Sequence, residues 1–223
     1  MESNRPSLDP GSTGYLQIRG EGGITAAQMR ALLQAFDDGY TSIASVEVEL
    51  AARVGYARRL SRWSRRYGPP DFFLPWLSQP AAIGGAFNLL GSVPAAPLVI
   101  SRVVLESPGF WEFVGTLNPL EVIRQYLNDR HERKKDNEYR SSAERERLAL
   151  DNAMQSLEIL DRYLAIEREY GDDSSDVAAS VRQNVAAAIR PGLERLGEID
   201  DLGLIGGGSA TTGIERPVDR PSN

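Results

Sequence analysis

The sequence predicts an α+β fold dominated by helix, with a small sheet of two or three strands packed on a long N-terminal helix and long helices following. Three observations predict it. Met29, Leu32, Leu33, Phe36, Tyr40 and Ile43 recur at three- and four-residue spacing, one apolar helical stripe. A second helical pattern starts near Leu120 and runs toward Tyr170. Between them, Leu98–Leu105 is dense in Val, Leu and Ile and is the strongest strand signal in the chain.

Residues 1–14 are polar with two prolines, and read as a disordered leader without the apolar core of a signal peptide. Tyr15–Arg19 is a short strand closed by the glycine-rich turn Gly20–Gly23. Thr25 with Gln28 three positions on forms a capping box, where the first helix should begin. Val46–Leu50 alternates with period two and offers a third strand. No turn signal separates it from Ile43, so continued helix is the favoured reading. That helix runs on into an arginine arm, residues 53–66, with Gly55 as a kink point, and stops by Gly68-Pro69-Pro70. Leu98–Leu105 is expected to pair with Tyr15–Arg19 as a central strand.

Ser107–Gly109 is a turn, and Phe110, Trp111, Phe113, Val114 and Leu117 are expected to form a core plug seating the next helix. Asn118-Pro119-Leu120-Glu121 is a helix start, with Asn at the cap and Pro at the first helical position. Ser141-Ser142 marks a break. Leu148, Met154, Leu157, Leu160 and Leu164 form an apolar stripe for a helix that begins near Ser175. Pro191 is expected to start a separate short helix, and residues 201–223 a flexible tail. The division is thus a leader (1–14), an α+β domain (15–117), a helical region (118–200) and the tail.

Composition narrows the chemistry. The 223 residues include no cysteine and a single histidine, His131. Disulfides, thiolate metal sites, a cysteine nucleophile and multi-histidine centres within one chain are excluded. His131-Glu132-Arg133 fails the zinc-peptidase pattern, and Gly20–Thr25 matches neither the P-loop nor the dinucleotide fingerprint. No catalytic, cofactor-binding or metal residue is assigned, and no small-molecule ligand is inferred.

The formal charge is −6, but it is segregated. Arg53–Arg66 holds six arginines and no acid, so the rest of the chain carries −12. Phe72–Ser101 then runs thirty residues without a charge. On a helix, Tyr56, Leu60, Trp63 and Tyr67 share one side, while Arg58, Arg59, Arg62, Arg65 and Arg66 cover much of the rest. Such an arm can complement acids in the fold or an oligomer, lie on anionic lipid, or track a polyanion. Prolines 75, 80, 94 and 97 argue for a buried loop in the charge-free run rather than a membrane span. The candidate surface is Arg58, Arg59, Arg62, Trp63, Arg65, Arg66, Phe72, Phe73 and Trp76.

The run Ser107-Pro-Gly-Phe-Trp-Glu-Phe113, then Asn118-Pro-Leu-Glu121, then Tyr126-Leu-Asn-Asp-Arg-His-Glu-Arg133, resembles a segment of uncharacterised bacterial proteins that extends to Arg140. The resemblance implies no activity, cofactor or site. The sequence therefore leads to a non-enzymatic interaction or regulatory module that associates with a protein partner or with itself. The alternatives are a peripheral membrane protein using the basic arm, and then a binder of nucleic acid or another polyanion. The expected location is cytoplasmic, at the inner face of the membrane under the second reading.

Overall fold

The computed structural model describes residues 12–20, 24–67, 96–104, 109–135, 142–155, 157, 160–162, 164–165, 175–205 and 211–214. Among them the fold is helix-dominated α+β. The sheet has four antiparallel strands, not two or three: β1 (Thr13–Gly20), β2 (Val99–Val104), β3 (Gly109–Thr116) and β4 (Thr211–Ile214). Their spatial order is β2-β3-β1-β4. The long helices are α1 (Ala26–Tyr67), α2 (Leu117–Lys135), α3 (Ser142–Gln155) and α4 (Ser175–Asp201).

β3 is the main departure from the expected order. The segment expected to be a turn and core plug is a strand, and it lies between β2 and β1, which were expected to pair with each other. The reason is its period of two. Gly109, Trp111, Phe113 and Gly115 face the core, and Phe110, Glu112, Val114 and Thr116 face the other way. Tyr15 and Leu16 meet Val114 and Phe113 across the β1–β3 ladder. β2 is thereby displaced to the sheet edge. β4 arises inside the stretch expected to be a flexible tail, and pairs with Gly14–Gln17 of β1.

The Thr25–Gln28 capping box forms as the sequence implies. Thr25 N donates to Gln28 Oε1 at 2.9 Å and Gln28 N donates to Thr25 Oγ1 at 3.2 Å. α1 then runs 42 residues, about 63 Å at 1.5 Å per residue, through Val46–Leu50 without interruption. Its buried stripe includes Leu32, Phe36, Tyr40, Ile43, Val46 and Leu50. α4 crosses it at two glycines. A Cβ on Gly192 would lie 2.8 Å from the Gly39 Cα, and one on Gly39 would lie 2.6 Å from Leu196 Cδ1, so only hydrogen permits this approach. Arg195 of α4 pairs with Asp38 of α1 beside the crossing.

Pro191 lies inside α4 instead of starting a new helix. Proline there sacrifices one helical hydrogen bond. Burial of Gly192, Leu193 and Leu196 on the following turn offsets that loss. The end of α4 is a Schellman motif: Gly203 has φ of 71°, Leu204 N donates to Ile199 O, and Gly203 N donates to Asp200 O. Ile199 and Leu204 are both buried, the apolar contact that accompanies this motif.

That helix end carries Asp200 and Asp201 and no basic residue of its own, which opposes the helix dipole. Arg130 of α2 supplies the missing cation. Its guanidinium lies 3.5 Å from Asp200, donates to Asp201 at 2.7 Å and donates to Gly197 O at 3.2 Å. Burial acts to depress the Arg130 pKa, yet Tyr126, Asp201 and Asp200 together hold it above the ordinary value. α3 begins at Ser142, at the expected break, and packs Leu150 and Ala153 into the same core. That core is continuous from β1 to Leu204, joining the expected α+β domain and helical region.

Candidate functional site: an open groove beside β2 and a basic helical arm

Inward-facing side chains of the two central strands are sealed. Leu16, Ile18, Trp111 and Phe113 are at most 2% exposed. On β2, Ile100 pairs with Phe113 and Val103 with Trp111, so they face the same side of the sheet. Ser101 is the extra residue of a bulge that keeps both on that side. Yet Ile100 is 44% and Val103 39% exposed, and Val99 on the opposite side 51%.

The cause is where the helices sit. α1 lies over β3, with Phe36 stacked on Phe113 at 4.6 Å between ring centres and Tyr40 against Gly115. α2 contacts β1, β3 and β4. Among the described residues β2 is left with exposed side chains on both faces. An open groove of about 470 Å³ results, floored by Met29, Leu33, Leu98, Ile100 and Phe113. Arg30 and Asp37 stand on its α1 rim, seven residues apart and both exposed. The approach to β2 is pinned by Tyr40, whose hydroxyl donates to Ala96 O at 2.9 Å and accepts from Thr116 N at 2.8 Å. An apolar floor with a cation and an anion at opposite ends accepts hydrocarbon side chains and fixes their direction by charge.

The opposite sheet edge is finished differently. Glu121 of α2 accepts from Thr212 of β4, from Arg124 and from Gln125. Burial pushes the Glu121 carboxyl up, but those hydrogen bonds outweigh it and hold the group below the ordinary glutamate range. Hydrogen bonding to Glu121 raises Arg124 in turn, more than burial lowers it.

The second feature is the end of α1. After Val54, no described side chain on this helix is buried; Arg58, Arg59 and Arg62 are exposed. Gly55 has nothing within 4 Å of the position a Cβ would take. The 13 residues from Gly55 to Tyr67 continue the helix for about 20 Å beyond Val54, the last of its described residues to be buried. Arg53 closes the core section by pairing with Glu49 at 2.6 Å, both nearly buried.

Of the candidate surface read from the sequence, Arg58, Arg59 and Arg62 thus come together on the exposed arm. Trp63, Arg65 and Arg66 belong to the same helix, and their side chains are not described. Phe72, Phe73 and Trp76, with most of the charge-free run, lie outside the described residues. His131 is half-buried on α2. Among the described residues no three His, Asp or Glu side chains gather as a metal site, and no helix is long and apolar enough to cross a membrane.

The groove was missed by the sequence reading, although two signals pointed to it. Met29 and Leu33 widen the α1 stripe beyond what the sheet contact needs. Leu98–Leu105 is apolar at six of its eight positions, which suits a covered strand and is unexpected on an open edge. Comparison with protein-family models, curated proteins and solved structures finds no match to this chain, so its function is read from its own geometry.

Proposed function

We propose that this protein is a non-enzymatic interaction module that self-associates through the groove between α1 and β2. One observation carries the reading: Ile100 and Val103 point to the core side of the sheet and are nonetheless exposed. Exposed apolar side chains in register with a sealed core are an unfinished layer, and a partner surface completes it. The Ser101 bulge and exposed Arg102 discourage extension of the sheet by a new strand. The partner therefore meets side chains in the groove rather than the β2 backbone.

A second copy suits the rim charges. In a two-fold interface the same patch meets itself in reverse. Arg30 then faces Asp37 of the partner subunit, and Asp37 faces Arg30 of the partner subunit. Light scattering over micromolar concentrations tests this. The mass is expected to exceed one chain and to fall on dilution, whereas Ile100→Lys with Val103→Lys is monomeric and keeps its thermal unfolding. Arg30→Glu is expected to weaken association roughly tenfold, two rim pairs at about 0.7 kcal/mol each, and Arg30→Glu with Asp37→Arg to restore it. A wild-type chain that stays monomeric throughout would sink the proposal.

A further inference from the structure

We infer that the C-terminal end of α1, from Arg58 to Arg66, docks on an anionic phospholipid surface. The inference is separate from the groove. At 1.5 Å per residue, Arg58 lies about 30 Å along α1 from Asp37, the nearest groove residue on that helix.

Charge complementarity comes first. Five arginines lie between positions 58 and 66 with no acid among them, and the three whose side chains are described are all exposed. The rest of the chain is strongly acidic and would be repelled by the same surface. Geometry separates the two. The helix runs about 20 Å beyond Val54, and the screening length at physiological ionic strength is about 8 Å. Along the axis Arg58 stands about 6 Å and Arg66 about 18 Å beyond Val54, so the outer arginines lie roughly two screening lengths from the end of the core section.

The remaining residues of the same section choose lipid over a phosphate backbone. Helical spacing gives Tyr56, Leu60, Trp63 and Tyr67 one side of α1 between Gly55 and its end. An aromatic and apolar side beside arginines matches the boundary between headgroups and acyl chains. A nucleic-acid backbone rewards the arginines alone. The association is peripheral, and its strength comes from about 1 kcal/mol per basic residue at the surface.

The test uses the full chain in flotation with vesicles of phosphatidylcholine, alone or mixed with phosphatidylserine. The protein is expected to float with the mixed vesicles, to stay behind with phosphatidylcholine alone, and to be released by added salt. Arg58→Gln, Arg59→Gln and Arg62→Gln together are expected to lower partitioning about 100-fold, with circular dichroism and the mass by light scattering unchanged. Unchanged mass separates this result from any failure of the groove. Equal flotation of wild type and triple variant, or none with mixed vesicles, overturns the inference. A salt-sensitive mobility shift of duplex DNA without flotation overturns it in favour of a polyanion.

Discussion

The two edges of the sheet invert what hydrophobicity alone would suggest. β4 is the polar strand Thr-Thr-Gly-Ile, yet it is tied down. Its Thr212 hydroxyl donates to Glu121 on α2, and Gly213 lies so close beneath Tyr15 that a Cβ would sit 2.6 Å from the phenol oxygen. β2 is the apolar strand Val-Ile-Ser-Arg-Val-Val, and its side chains are the exposed ones. The contrast teaches that an edge strand is covered by what stands behind it. α2 reaches β4, α1 stacks Phe36 on Phe113 of β3, and β2 keeps its side chains exposed.

The sharpest way to break that contrast is to truncate two cross-strand neighbours, Phe113 and Ile100. Phe113→Ala is expected to cost about 3–5 kcal/mol in urea unfolding of the monomer, and Ile100→Ala less than about 1 kcal/mol. Comparable losses would mean that β2 is packed as tightly as β3. Gly115→Ala comes next, at about 1–3 kcal/mol, because the new methyl would meet the Tyr40 ring at 2.9 Å. Thr212→Val is expected to cost about 1 kcal/mol by removing one donor from Glu121.

A pH series sharpens the β4 side. Glu121 is lowered in the folded state, so its contribution is full above the unfolded glutamate value of about 4.3 and is lost as pH falls through the lower folded value. The stability gap between wild type and Glu121→Gln should therefore narrow under acid and stay level near neutrality, read by denaturant unfolding at each pH. The smallest effect belongs to the arm. Arg58→Gln with Arg59→Gln should move stability by no more than about 0.5 kcal/mol, since these side chains are exposed beyond the core.

What the sequence made legible was local. Thr25 and Gln28 are three residues apart and cap the helix they announce; the stripe from Leu32 to Ile43 buries as its period requires. What it hid was settled by distant partners. Gly109–Thr116 alternates correctly, but its two glycines and clustered aromatics looked like a turn with a plug until β1 supplied the matching face. β4 has almost no strand signal, and its partners are Gly14–Gln17, near the other end of the sequence. Pro191 looked like a start signal because the cost of an internal proline is local, while the compensating contact with Gly39 comes from α1. For the candidate site, the exposed arginines were legible as a charge pattern. The groove was not, because an uncovered strand is defined by a helix that is elsewhere.

The β1–β4 ladder also dictates an order of assembly. β2 and β3 are neighbours in sequence, β1 meets β3 across about ninety to a hundred residues, and Gly14 meets Ile214 across two hundred. During synthesis β1 must wait for about two hundred further residues before its second neighbour exists. Until then the nascent sheet has an unprotected border on both sides, and long-range closure of this kind is the slow part of folding. The last few residues to pair, Thr211–Ile214, thus act as a late fastener. A chain released before they are made would carry its fold with β1 unzipped.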